Sequence, residues 1–180
     1  KTGQFQIGVK SSQRIIGPVF GRCGSEKISI NFNNFQNCKG NNINKWSNCY
    51  TEYKANIGVY KGTFLNGMLH GKGIFEFNDG GVYEGDFVEN KMHGYGTMKY
   101  PNGNKYKGDF IDGRWSGKGE LILQNGDKYD GEFVDGYPDG FGTFTYTSLG
   151  NKYVGNFKKG VRTGDGKIFF KNGAKYFGSF

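Results

Sequence analysis

The chain has 180 residues, a formal net charge of +8, 33 glycines and 17% aromatic residues. This is length for one ordinary domain, and no run of about 18 apolar residues exists, which excludes a membrane-crossing helix. The charge is unevenly placed: residues 1–59 hold eight Lys/Arg against Glu26 and Glu52, a balance of +6, while residues 60–180 hold sixteen against fourteen, a balance of +2.

From the N-terminus, Phe5, Ile7 and Val9 alternate with polar residues, as do Ile28, Ile30 and Phe32, and both runs read as short strands. Ile15 to Gly21 is apolar and broken by Gly17-Pro18, and Asn31 to Asn48 is rich in asparagine, a loop-forming composition. Segment 1–45 therefore reads as an irregular, basic, Asn-rich extension that lies along the rest of the chain or on a partner. Cys49-Tyr50-Thr51-Glu52-Tyr53 resembles the second strand of a worn repeat, so 46–59 reads as a degenerate capping hairpin. The three cysteines, Cys23, Cys38 and Cys49, all lie before residue 60. An odd count and the lack of any Asn-x-Ser/Thr sequon lean towards a reducing compartment, and a Cys38–Cys49 disulfide is possible but unsupported by the sequence.

Residues 60–180 are a repeat array. Tyrosines at 60, 83, 106, 129, 153 and 176 each open the phrase Tyr-x-Gly-x-Phe, at spacings of 23, 23, 23, 24 and 23 residues. Gly-x-Gly pairs recur at Gly71/Gly73, Gly94/Gly96, Gly117/Gly119, Gly140/Gly142 and Gly164/Gly166, and a further glycine recurs at 80, 103, 126, 150 and 173. The extra residue of the fourth unit falls at that last turn, where insertions are tolerated. Period-two alternation, as in Tyr83, Gly85, Phe87 against Glu84, Asp86, predicts strands with one half-buried face. Each unit thus reads as a β-hairpin with Asn-Gly turns. Simple pairing would set Phe87 opposite Gly96, Gly85 opposite Met98 and Tyr83 opposite Tyr100, with a large side chain folded over each glycine. The chain starts at Lys1 and stops at Phe180, after the first strand of a unit, which reads as a piece of a longer protein.

This phrase resembles the MORN repeat, whose pattern is close to Y-x-G-x-F/W-x-x-G-x-x-x-G-x-G-x-x-x-x-x-x-G-x-x. Five full units match over 60–175 and a sixth begins at 176; Asn90 replaces a loop glycine, a position that asparagine also tolerates. The resemblance implies an all-β, elongated, single-layer antiparallel sheet of stacked hairpins. It also implies a role as scaffold, membrane-associated module, dimerisation arm or accessory part of an enzyme.

Chemistry-bearing constellations are weak. His70 and His93 sit at equivalent positions about 10 Å apart by strand geometry, too far for one zinc, and read as exposed loop residues. The Gly-x-Gly pairs lack the following helix of a dinucleotide site. No nucleophile, Walker motif or metal constellation emerges, so no catalytic residue, cofactor or metal is expected. The aromatic columns are the strongest binding candidate, because a single-layer sheet has nothing of its own to cover them. The partner-binding face is assigned to Tyr83, Phe87, Tyr100, Tyr106, Phe110, Leu121, Leu123, Tyr129, Phe133, Tyr146 and Tyr153. Lys105, Lys128, Lys152 and Lys175 each precede a repeat tyrosine, and stacking would align them in a ladder on the polar face, available to anionic lipid.

The reading is a non-enzymatic scaffold that docks other proteins in a large cytoplasmic assembly, cytoskeletal or ciliary (axonemal), with self-association, at most weak anionic membrane contact and no nucleic acid. The alternatives are a peripheral membrane module for anionic phospholipids and an accessory region of a larger enzyme.

Overall fold

The computed structural model describes residues 36–180. The strands expected around Phe5–Val9 and Ile28–Phe32, and Cys23, lie outside the described residues. The rest is one 13-stranded sheet in strict sequence order. A short strand β1 (Gln36–Asn37) and a 3-10 turn (Ile43–Lys45) precede β2 (Cys49–Ala55). The repeats follow as β3 (Gly58–Leu65) with β4 (Met68–Phe77), β5 (Val82–Val88) with β6 (Lys91–Lys99), and β7 (Lys105–Ile111) with β8 (Arg114–Ile122). Then come β9 (Lys128–Val134) with β10 (Tyr137–Tyr146), β11 (Asn151–Lys158) with β12 (Val161–Phe169), and β13 (Lys175–Ser179). There is no α-helix among the described residues. The sheet is the all-β array of hairpins that the phased pattern predicts.

The hairpin turn within each repeat unit has two residues. Ile111 pairs with Arg114 across Asp112-Gly113, both at positive φ (49° and 81°), a backbone whose twist matches that of the flanking strands. Asn90 fills its loop position at φ 67° without a glycine.

The pairing expected from sequence is displaced by two residues. Gly85 stands opposite Gly96 and Tyr83 opposite Met98; then the register slips, and Asp86 meets His93 while Phe87 meets Met92. Gly94 and Tyr95 bulge out of this ladder, yet on the other side of β6 they pair with Phe110 and Asp109. The two glycines of Gly-x-Gly therefore serve different needs. Gly94 adopts φ 58°, which makes the bulge. Gly96 lies under the Tyr83 ring, where a Cβ would come within 2.5 Å of its oxygen and 2.6 Å of Cε2. The covering aromatic is thus the tyrosine two residues before the paired Gly85, and not the residue directly opposite Gly96. The slip strands the carbonyl of residue 86, and the buried Tyr83 hydroxyl donates to it at 2.9 Å. Equivalent bonds run from Tyr106 to the Asp109 carbonyl at 2.9 Å and from Tyr129 to the Glu132 carbonyl at 3.0 Å. This need for a donor explains tyrosine where phenylalanine would fill the same space.

At the N-terminal end β2 takes the place of a preceding unit's second strand, pairing antiparallel with β3. The Trp46 carbonyl accepts the Gly67 amide at 2.8 Å, as the Met92 carbonyl accepts that of Gly113. The Trp46 ring meets Phe64 edge to face at 5.1 Å. The sequence gives a Cys38–Cys49 pairing no support; the structure makes that bond, because β1 runs parallel to β2 with Gln36 opposite Cys49 and brings the two Cα atoms to 4.9 Å.

Candidate interaction site

The two aromatic columns form a single zipper. Tyr83 meets Phe87 of its own unit at 5.1 Å and Phe110 of the next at 5.0 Å, both edge to face. Tyr106 lies between Phe110 and Phe133 at 5.1 and 5.0 Å, and Tyr129 between Phe133 and Phe157 at 5.0 and 4.9 Å. A glycine pair lets each ring lie close on the sheet, and two phenylalanines close its flanks. Burial of such a ring stabilises by roughly 1.5–3 kcal/mol, and each edge-to-face contact adds about 0.5–1.5 kcal/mol.

The consequence for the predicted site is direct. Tyr83, Phe87, Tyr106, Phe110, Leu121, Tyr129, Phe133 and Tyr153 are all buried, at 0 to 1% exposure. The premise that a single-layer sheet leaves these columns uncovered is thereby corrected: the rings cover one another. Burial also pushes the Tyr60, Tyr83, Tyr106 and Tyr129 phenols well above the usual tyrosine range. Of the assigned face, only Tyr100, Leu123 and Tyr146 remain half-buried and within reach of solvent. They occupy the same position in three successive units, just after Met98, Leu121 and Phe144. Trp115 stacks on Tyr106 at 4.7 Å beside them, and Tyr100 meets its edge at 5.8 Å.

His70 and His93 lie in β4 and β6, half-buried, and not in exposed loops. No group of three or more metal-ligating side chains occurs among the described residues.

The opposite, outer face carries two features. One escaped the sequence reading: Tyr95 and Phe141, the middle residues of Gly-x-Gly, are 53% and 56% exposed. Because the flanking glycine lies under a tyrosine on the inner face, alternation sends these rings outward; that alternation was the available signal. Ile111 and Val134, after the repeat phenylalanine, are similarly exposed.

The second feature is the lysine ladder. Register partners run Lys99, Lys105, Ile122, Lys128, Thr145, Lys152, Phe169, Lys175, one residue per strand from β6 to β13. Within it Lys128 pairs with Glu120, and the Lys152 ammonium lies 5.7 Å from the Phe169 ring centroid.

Comparison with known proteins returns one family. Five consecutive segments, residues 60–82, 83–105, 106–128, 129–150 and 153–175, match the model described as MORN repeat. No curated protein matches the chain. Among solved structures it is similar to the SAS-4 (dCPAP) TCP domain in complex with a proline-rich motif of Ana2 (dSTIL) of Drosophila melanogaster. That likeness has 16% identity and a TM-score of 0.34, covering 68% of this chain and 78% of the other, and it carries no argument.

Proposed function

The chain belongs to the MORN-repeat family, and from that premise we propose that it is a non-enzymatic scaffold that docks protein partners along its repeats. One observation carries the reading. Tyr100, Leu123 and Tyr146 line up over three successive units as half-buried apolar side chains above a fully buried zipper. A fixed underlying lattice holds them about 10 Å apart, two strand spacings per unit. A partner helix or strand laid across the hairpins meets all three at constant register, with no reordering of the sheet. The buried tyrosines position this rim and do not themselves contact the partner.

The assembly in this reading is cytoplasmic, cytoskeletal or ciliary. In a reducing cytoplasm the Cys38–Cys49 bond would face thiol reductants, so the redox state of that pair in freshly isolated protein tests the location. The docking test is a Leu123→Ser/Tyr146→Ser variant compared with wild type for thermal unfolding and for recovery of native partners by proximity labelling. Loss of partners from a folded variant supports the rim. Undiminished recovery rejects it and moves docking to the outer face.

A further inference from the structure

We propose that the outer lysine row is a docking track for a linear acidic polypeptide segment of a partner protein. The inference deepens the scaffold reading by naming the chemistry of one partner, and it uses a different face from the rim.

The row is continuous in register from Lys99 to Lys175 and contains no acid; its other members are Ile122, Thr145 and Phe169. It ends where Val82 and then Glu76 continue it into β5 and β4. Lys99 and Lys105 stand directly opposite each other, an arrangement of like charges that costs stability unless an anion lies against it. Several cations elsewhere in the sheet have carboxylate partners: Lys72 with Asp86 at 2.8 Å, Lys91 with Asp112 at 3.1 Å, Arg114 with Asp135 at 3.2 Å, Lys158 with Asp139 at 3.0 Å. Along the row only Lys128 has one.

The geometry selects a line over a plane. Lys105, Lys128, Lys152 and Lys175 recur on alternate strands, about 10 Å apart. That interval equals about one turn, three residues, of polyproline II chain, which brings every third side chain to one face. The next outer row, two residues along each strand, interleaves Glu84, Glu120 and Asp130 with Lys107 and Lys167, and the one beyond holds Asp109 and sets Glu132 opposite Lys118. These lie roughly 7 and 14 Å from the lysines. A flat anionic membrane would meet the nearer acids within a Debye length of about 8 Å. A single file of carboxylates meets the lysines alone.

The test uses the 180-residue chain and a fluorescent synthetic peptide with glutamate at every third position and serine between, measured by anisotropy at low and physiological salt. The expected result is salt-sensitive binding that weakens on the order of tenfold or more in the Lys105→Gln/Lys128→Gln/Lys152→Gln/Lys175→Gln variant. A charge-matched control, Lys107→Gln/Lys118→Gln/Lys159→Gln/Lys167→Gln, should retain most of the affinity. Thermal unfolding verifies that both variants fold. Binding no tighter than that of the all-serine peptide overturns the proposal, as does equal loss in the two variants, which would show a response to net charge alone. Tighter binding to phosphatidylserine/phosphatidylcholine vesicles that displaces the peptide replaces it with a membrane role. The Leu123→Ser/Tyr146→Ser variant should bind the peptide like wild type, so failure of the track and failure of the rim are read separately.

Discussion

Tyr83 and Phe110 belong to successive repeats, and their rings meet edge to face with centroids 5.0 Å apart. This contact is the unit of inter-repeat coupling, because the same tyrosine also meets the phenylalanine of its own unit. A hairpin alone would bury only half of the tyrosine's surroundings. Phe110→Ala should therefore cost about 3–5 kcal/mol and expose Tyr83 and Tyr106 together. Urea unfolding followed by tyrosine fluorescence tests this; a cost confined to the third unit would show that the repeats fold independently.

The Tyr106 hydroxyl is the donor for a carbonyl stranded by the register slip. Tyr106→Phe keeps the ring and leaves that carbonyl without its partner, so stability should drop by about 1–3 kcal/mol. Tyr95→Phe, on the exposed outer face, should change it by less than about 0.5 kcal/mol. Equal effects would remove the explanation for tyrosine at the repeat start.

Gly119 faces the Tyr106 ring, and a Cβ there would stand 2.5 Å from its oxygen and 2.7 Å from Cε2. Gly119→Ala should cost about 1–3 kcal/mol through overpacking. Gly117 has φ 57°, where asparagine is the best-tolerated replacement, so Gly117→Asn should be milder than Gly117→Val. Denaturant midpoints that rank Asn no better than Val would contradict the two-role account of Gly-x-Gly.

The Cys38–Cys49 bond closes a separation of 11 residues, which by loop entropy stabilises the cap by about 3 kcal/mol. A dithiol reductant, or Cys38→Ser, should accelerate amide exchange over residues 36–55 and leave β7 to β10 protected. Uniform loosening of the whole sheet would show that the cap and the array unfold as one unit.

Alkaline pH tests the burial of the tyrosines. Their folded pKa values lie above the ordinary 10.0, chiefly through burial. A raised folded value means that stability is intact below the unfolded pKa and is lost as pH rises through 10 towards the folded values. Loss of the β-sheet signal should then coincide with the rise of tyrosinate absorbance from these rings. Tyrosinate appearing from the zipper while the sheet stays intact would contradict its burial.

Sequence alone determined the repeat, the hairpin in each unit and the alignment of the lysines, because period and alternation are local properties of the chain. The lysine row followed because one residue before each tyrosine must recur at one height on every second strand. Three things required the tertiary structure. The register depended on a bulge at Gly94, whose glycine looks the same in sequence as Gly96, although one needs φ 58° and the other needs space. The burial of Tyr106 and Phe133 depended on contacts between units, which leave only Tyr100, Leu123 and Tyr146 of the assigned face within reach. The Cys38–Cys49 bond depended on a parallel strand of two residues, too short to leave a pattern. In each case the deciding interaction joins residues from different strands, and its strength is set by what lies across the sheet and not by what lies next in the chain.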